Sequence, residues 1–253
     1  MIIDFPTESL IPSLKALWQD AFGDDDEFTL NFFSLGFSKE RSLCAIEGGE
    51  LVGALYWFDM EHCSGKIAYI YGVATANAFR GKGIGSLMMK EANKLLNSHG
   101  YSYITLVPAE KGVISFYEKL GYKICASIDE TEFSASDKQA SYRQVAATDY
   151  FTERRKYTDD SSPTLKNEGF IFLASLVDFY VGDDFVSAVR KDSKNFFAVE
   201  FLGNTDKASD FISALGFRRG VVRTKGAEAP FAMYLPLTDN KNPPFSYLGF
   251  AFD

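Results

Sequence analysis

The chain has 253 residues, a formal net charge of −8, and 46% hydrophobic against 24% charged residues. That length fits one domain and a partial second, and the composition excludes wholesale disorder. The acidic balance excludes the basic footprint of a nucleic-acid or anionic-membrane binder.

Cys44, Cys63 and Cys125 are widely spaced, form neither a disulfide framework nor a metal motif, and suit a reducing cytoplasm. The opening MIIDFPTESL lacks the basic and long apolar regions of a signal peptide, and no apolar run reaches membrane-spanning length. With 24 Phe and 13 Tyr, the chain implies dense strands or an aromatic-lined pocket, core packing being the default for most rings.

In chain order, Leu10, Ile11, Leu14, Leu17, Trp18, Ala21 and Phe22 share one helical face, with Thr7 or Ser9 as cap and Gly23 after the end. A short helix follows Asp24-Asp25-Asp26, carrying Phe28, Leu30, Phe32, Phe33 and Leu35. Residues 42–47 and 50–59 read as a hairpin across Gly48-Gly49, and Lys66 to Ala74 as a third strand. That strand breaks at Thr75–Phe79 and gives Arg80-Gly81-Lys82-Gly83-Ile84-Gly85. Apolar residues then recur at Ile84, Leu87, Met88, Ala92, Leu95 and Leu96 with helical spacing. Strand, glycine-dense loop and helix start make an anion site. Glycine lets backbone approach a ligand, the first helical turn offers unpaired N–H groups, and Arg80 and Lys82 add charge. A phosphate-bearing ligand is expected there. The glycine spacing is not that of a dinucleotide fold, nor is the P-loop pattern present.

Tyr103 to Val107 reads as a strand ending at Pro108, and Lys111 to Leu120 as a helix stopped by Gly121. The polar stretch 127–141 marks a junction, dividing the chain into residues 1–140 and a smaller domain, 141–253. Beyond it come a helix over 148–157 capped by Thr148, a loop at 159–163, and strand-like runs at 220–224, 231–235 and 247–252. Phe211-Ile212-Ser213-Ala214-Leu215-Gly216-Phe217 lines up with Phe116 to Tyr122, without a preceding glycine loop.

Arg80-Gly81-Lys82-Gly83-Ile84-Gly85 resembles the Arg/Gln-x-x-Gly-x-Gly/Ala signature of GNAT acyltransferases. Phe116-Tyr117-Glu118-Lys119-Leu120-Gly121-Tyr122 is similar to the segment that ends their domains. Together the two cover roughly residues 43–123. The resemblance implies an α/β fold of the α+β type, a mixed, mostly antiparallel sheet flanked by helices, with a degenerate second GNAT-like half lacking a cofactor site. It implies that amides of Arg80, Gly81, Lys82, Gly83, Ile84, Gly85 and Ser86 hold the pyrophosphate of acetyl-coenzyme A. It also implies that Val73, Ala74 and Thr75, on a splayed strand, pair with its pantetheine arm. The first two helices would wall the acceptor pocket, bringing Phe32, Phe33 and Phe37 toward substrate.

Acetyl transfer to an amine needs a polarised carbonyl, a base for the amine and an acid for the leaving thiolate. A backbone N–H at Val73 or Ala74 suits the first. The resemblance gives Tyr117 as the acid. For the base, Glu61, His62 and Asp59 lie near the hairpin's end, and Tyr69 and Tyr71 on the central strand. Some tandem-domain, aminoglycoside-acetylating relatives use their C-terminal carboxylate, which nominates Asp253. With His62 and His99 the only histidines, no metal site is expected. The resulting expectation is an acetyl-coenzyme A-dependent N-acetyltransferase acting on a small-molecule or peptide amine. The rivals are a non-catalytic acyl-coenzyme A sensor, and an aminoacyl-transferring relative whose long helical insertion this sequence lacks.

Overall fold

The computed structural model describes residues 1–158, 162–191 and 195–251. The first elements are β1 (Ile2–Asp4), α1 (Ile11–Phe22), α2 (Asp26–Asn31), β2 (Ser42–Glu47), β3 (Glu50–His62), β4 (Gly65–Thr75), α3 (Ile84–Ser98), β5 (Tyr103–Leu106) and α4 (Ile114–Lys119). Then come β6 (Lys123–Ser134), β7 (Tyr142–Val145), α5 (Ala147–Arg154), β8 (Thr164–Leu165), α6 (Asn167–Leu176), β9 (Val177–Gly182) and β10 (Phe185–Arg190). The last are β11 (Phe196–Gly203), α7 (Ala208–Ala214), β12 (Arg219–Lys225) and β13 (Ala229–Pro236).

Two compact units are interleaved in sequence. The first holds Met1–Lys123, Pro163–Phe172 and Met233–Pro244; the second holds Ile124–Ser162, Leu173–Ala232 and the segment from Phe245. The expected division at 140/141 therefore differs from the one the contacts draw. The physical reason is that strands cross the sequence boundary. Ile128 to Ser134 of β6 pair in full with β12, so the junction expected at 127–141 is largely strand. Its polar composition hid the strand because its cross-strand partners are charged: Arg223 meets Glu130 at 2.8 Å and Arg219 meets Glu132 at 3.5 Å.

In the first unit β1, β2, β3 and β4 are successive antiparallel neighbours. β4 pairs parallel with β5 across the α3 crossover, and Met233–Pro236 of β13 pair antiparallel with β5. Ile84, Met88, Met89, Ala92 and Leu96 of α3 bury against Leu55, Trp57, Ala68, Ile70 and Ile104 of the sheet. α1 packs on β3 and β4. It starts behind a 3-10 turn at Glu8–Leu10 with Pro12 in its first turn, and neither Thr7 nor Ser9 caps it. Asp25 does cap α2, accepting from the Phe28 amide at 2.8 Å.

The second unit has the order β6, β12, β11, β10, β9, β7. β9, β10 and β11 form an antiparallel meander, α7 crosses over, and β12 lies parallel to β11. This repeats β2, β3, β4, α3 and β5 of the first unit. The two expected seven-residue matches do end their helices alike. Gly121 and Gly216 have φ of 94° and 81°, and the next residue's amide bonds back five positions, Tyr122 to Tyr117 and Phe217 to Ile212, both at 3.1 Å. By place in the sheet, however, α7 corresponds to α3, not α4. The shared motif is a common helix stop rather than the register of a repeat. The helix expected at 148–157 runs from Ala147 to Arg154 without a side-chain cap, so Thr148 lies inside it. Of the run expected as a strand at 247–252, the described residues 247–251 have no ladder partner.

Candidate active site

β4 and β5 are paired only from Ile67↔Tyr103 to Ile70↔Leu106, where β5 ends; β4 continues alone on that side to Thr75. The strands therefore part at the point where β4 carries Val73, Ala74 and Thr75. On its other edge β4 has an irregularity: Tyr56 faces Tyr71 and Ala54 faces Ala74, so three steps on β4 oppose two on β3. The extra residue makes a bulge at Gly72–Val73, and Gly72 sits there at φ 61°. A glycine in left-handed conformation at a bulge twists the strand and leaves a backbone group out of the ladder. Sequence could have signalled this, since a glycine inside an otherwise apolar strand run marks a bulge or a close backbone approach.

After β4 the chain makes one 3-10 turn, Asn77–Phe79, then Gly81 and Gly83 at φ 76° and 81° lead into α3. Neither glycine has an atom within 4 Å of where a Cβ would be, so conformation rather than crowding calls for glycine there. Gly83 is the N-cap of α3, no side chain caps this end, and no acidic residue lies in the first turn. The leading N–H groups of a 15-residue helix are thus left for an outside acceptor. Arg80 donates from Nε to the Thr75 carbonyl at 3.2 Å, which ties the loop to the end of β4. The Lys82 ammonium lies 4.5 Å over the Phe79 ring. Asn77 donates to both Asp20 oxygens at 2.8 Å, joining the same loop to α1.

These pieces enclose a cavity of about 520 Å³ lined by Val73, Ala74, Thr75, Phe79, Arg80, Gly81, Gly83, Ile84, Gly85, Ser86, Val113, Phe116 and Tyr117, with Ala21 and Phe22 of α1. All the expected donor-binding residues except Lys82 line it, and so does the expected acid, Tyr117. Tyr117 stacks edge-on against Phe116 and Tyr122, and burial pushes its phenol up to about 12. It therefore holds its proton throughout the neutral range. Ala21, Phe22, Phe79, Val113 and Phe116 also line it, residues to which the sequence pattern assigns no site role.

The nominated bases that lie among the described residues do not line this cavity. Glu61, at the far end of β3, is exposed and pairs with Lys166 at 2.5 Å. The Asp59 carboxylate accepts from Tyr101, from Arg41 at 3.0 Å, and lies 3.5 Å from Lys66. Burial works against its charge, but these hydrogen bonds and cations outweigh that and hold it below the usual carboxylate range. His62 shares a 2.6 Å bond with Ser64 in the hairpin turn. Tyr69 is buried in the sheet, and Tyr71 packs against Trp18, Phe32, Phe58 and Phe172. Phe32, Phe33 and Phe37 join Trp18 and Tyr56 in that aromatic cluster instead of lining the cavity. Asp253 lies outside the described residues. Among the described residues there is no group of three or more His, Cys, Asp or Glu able to hold a metal, and no helix long and apolar enough to cross a membrane.

Residues 7–122 match the model of the acetyltransferase (GNAT) family. No curated protein matches the chain in sequence. Among solved structures, a GCN5-related N-acetyltransferase from Anabaena variabilis superposes with a TM-score of 0.72 at 13% identity, covering 94% of this chain and 73% of its own. One from Kribbella flavida gives 0.67 at 17%, covering 92% and 70%. A Pyrococcus horikoshii protein gives 0.63 at 14%, covering 98% and 94%. At these identities the likeness is one of fold, and it extends over both units.

Proposed function

We propose, from the match of residues 7–122 to the GNAT acetyltransferase family, that the chain is an acetyl-coenzyme A-dependent N-acetyltransferase acting on a small-molecule or peptide amine. The observation that carries this reading is the uncapped start of α3, opening with Arg80 and the Gly81/Gly83 turn into one cavity with Tyr117 and the parted edge of β4. The donor set fits the ligand. Backbone amides from Gly81 to Ser86 and the Arg80 guanidinium suit a diphosphate, and an extended, unpaired strand edge suits an amide-bearing arm. The free edge of β4 takes the pantetheine amides as a neighbouring strand would. The Val73 or Ala74 N–H, at the bulge, polarises the thioester carbonyl.

The amine nitrogen attacks that carbonyl carbon, forming C–N as C–S breaks. The departing sulfur takes the Tyr117 proton, and the amine's proton leaves to a base or to water. Tyr117 suits the acid role by its place in the cavity, and its raised pKa keeps it loaded with a proton at neutral pH. The proposed base is Asp253; Glu61 is engaged with Lys166 away from the cavity. The unpaired cysteines suit a reducing compartment, and we place the protein in the cytoplasm.

The test is incubation with acetyl-coenzyme A and a panel of primary amines, with free thiol as readout. Thiol release that depends on the amine and falls in Tyr117→Phe is expected. Tight coenzyme binding without thiol release on any amine would turn the reading toward a sensor.

A further inference from the structure

On β4 the cavity's lining begins at Val73, and the residue before it, Gly72, lies under the Trp18 indole. Asp20 bonds Asn77 just beyond β4, Ala21 and Val73 both line the cavity, and one turn earlier Trp18 lies on Gly72. A Cβ at Gly72 would stand 2.6 Å from the Trp18 ring and 3.0 Å from that of Tyr56. The lining stops at that contact. Trp18 is 2% exposed and braced: stacked on Phe32 at 4.2 Å, edge-on to Phe22 at 4.8 Å, with Nε1 donating to Asp24 at 2.8 Å. A ring held from three sides cannot swing aside cheaply.

On the function proposed above, the donor enters over Arg80 to Ser86 and runs along Thr75 and Ala74 to Val73. Whatever follows the carbonyl carbon then continues toward Gly72. We propose that Trp18 is the residue that sets acyl-chain length, admitting a two-carbon acyl group and excluding acyl-coenzyme A thioesters of four carbons or more. Trp18 touches no reacting bond. It acts by leaving no volume for added methylenes, whose misfit in a tight apolar pocket is worth roughly 10- to 200-fold.

The test is calorimetric titration of the full chain with coenzyme A, acetyl-, propionyl-, butyryl- and hexanoyl-coenzyme A, each thioester referred to coenzyme A on the same protein. In the unaltered protein butyryl-coenzyme A is expected to bind at least about tenfold more weakly than acetyl-coenzyme A. In Trp18→Ala that ratio should fall to within about twofold. Equal affinities in the unaltered protein, or an undiminished ratio in Trp18→Ala, overturns the proposal while leaving the donor assignment standing. No heat with coenzyme A itself removes both. Should Trp18→Ala fail to fold, Trp18→Leu opens less space but gives the same comparison.

Discussion

The two units contain the same crossover, and only one of them is open. In each, a meander's third strand runs beside a parallel neighbour, pairs with it briefly, and then parts from it: β4 from β5 after Ile70↔Leu106, β11 from β12 after Ala198↔Val222. In the first unit the gap is lined by glycine turns and an uncapped 15-residue helix. In the second, α7 has seven residues and the turn before it is satisfied from within, Asn204 accepting from the Asp206 amide at 3.1 Å and donating to Asp184 at 2.8 Å.

The second gap is also filled. Glu200, just past the last β11–β12 pair, accepts from Tyr150 at 2.7 Å, Tyr247 at 2.9 Å, and Arg154 at 2.8 and 2.9 Å. Ser246 meets Lys225 of β12 at 3.3 Å, and Arg154 also donates to the Leu248 carbonyl. The segment around Tyr247 therefore fills the place that corresponds to the one proposed for the ligand arm in the first unit. The comparison teaches that a parted pair of strands does not by itself make a binding site. What makes one is the absence of internal partners at the helix start and along the free strand edge.

The sharpest way to break this contrast is at Tyr117. Tyr117→Phe should lower turnover by about 10²- to 10⁴-fold with coenzyme affinity little changed, because a positioned acid contributes that much in the transition state. Steady-state kinetics beside calorimetry checks it, and an unchanged rate returns Tyr117 to a packing role.

The next effect is on stability, in the second unit. Glu200 is fully buried, so Glu200→Gln leaves the Arg154 guanidinium without its counter-charge and should cost about 3–5 kcal/mol, read by denaturant unfolding. A loss under about 1 kcal/mol would mean that water reaches the cluster and that the gap is not closed.

A smaller effect belongs to the anion loop. Arg80 is exposed, so Arg80→Ala should weaken coenzyme A binding by about tenfold at low salt and less at high salt. Loss of the salt dependence in the variant is the accompanying signature.

The smallest is a pH dependence with no step. Tyr117 is protonated below its pKa of about 12, so turnover should show no falling alkaline limb from this group between pH 7 and 10. Asp59 works in the other direction. Its folded pKa is depressed, so its stabilisation is present above the unfolded carboxylate value near 3.9 and is lost as pH falls below it toward the folded value. Unfolding midpoints measured from pH 6 downward should hold steady in the unaltered protein until the carboxylates titrate. In Asp59→Asn the contribution of this group is missing throughout.

What the sequence revealed was what local chemistry dictates. The strand–glycine–helix order at 66–98 and the Gly121 stop depend on residues within one turn of each other, and the structure has both. The double-glycine hairpin was legible for the same reason. The strand in the polar stretch from 123 was hidden because its ladder partner lies some ninety residues on and its cross-strand pairs are ionic. Trp18 and Gly72 are 54 positions apart, so their contact, next to the lining residue Val73, has no local signal. Glu61 looked available because a carboxylate's partner cannot be read from its neighbours, and Lys166 comes from the returning segment.

The central claim is that main-chain amides at the start of α3 grip the diphosphate of coenzyme A, and amide chemical shifts report on it residue by residue. Titrating the ¹⁵N-labelled protein with coenzyme A should move the amides of Gly81, Gly83, Ile84, Gly85 and Ser86 at saturation, and leave those of Asn204, Thr205 and Asp206 in place. Movement confined to the second set, or none in the first, would contradict it.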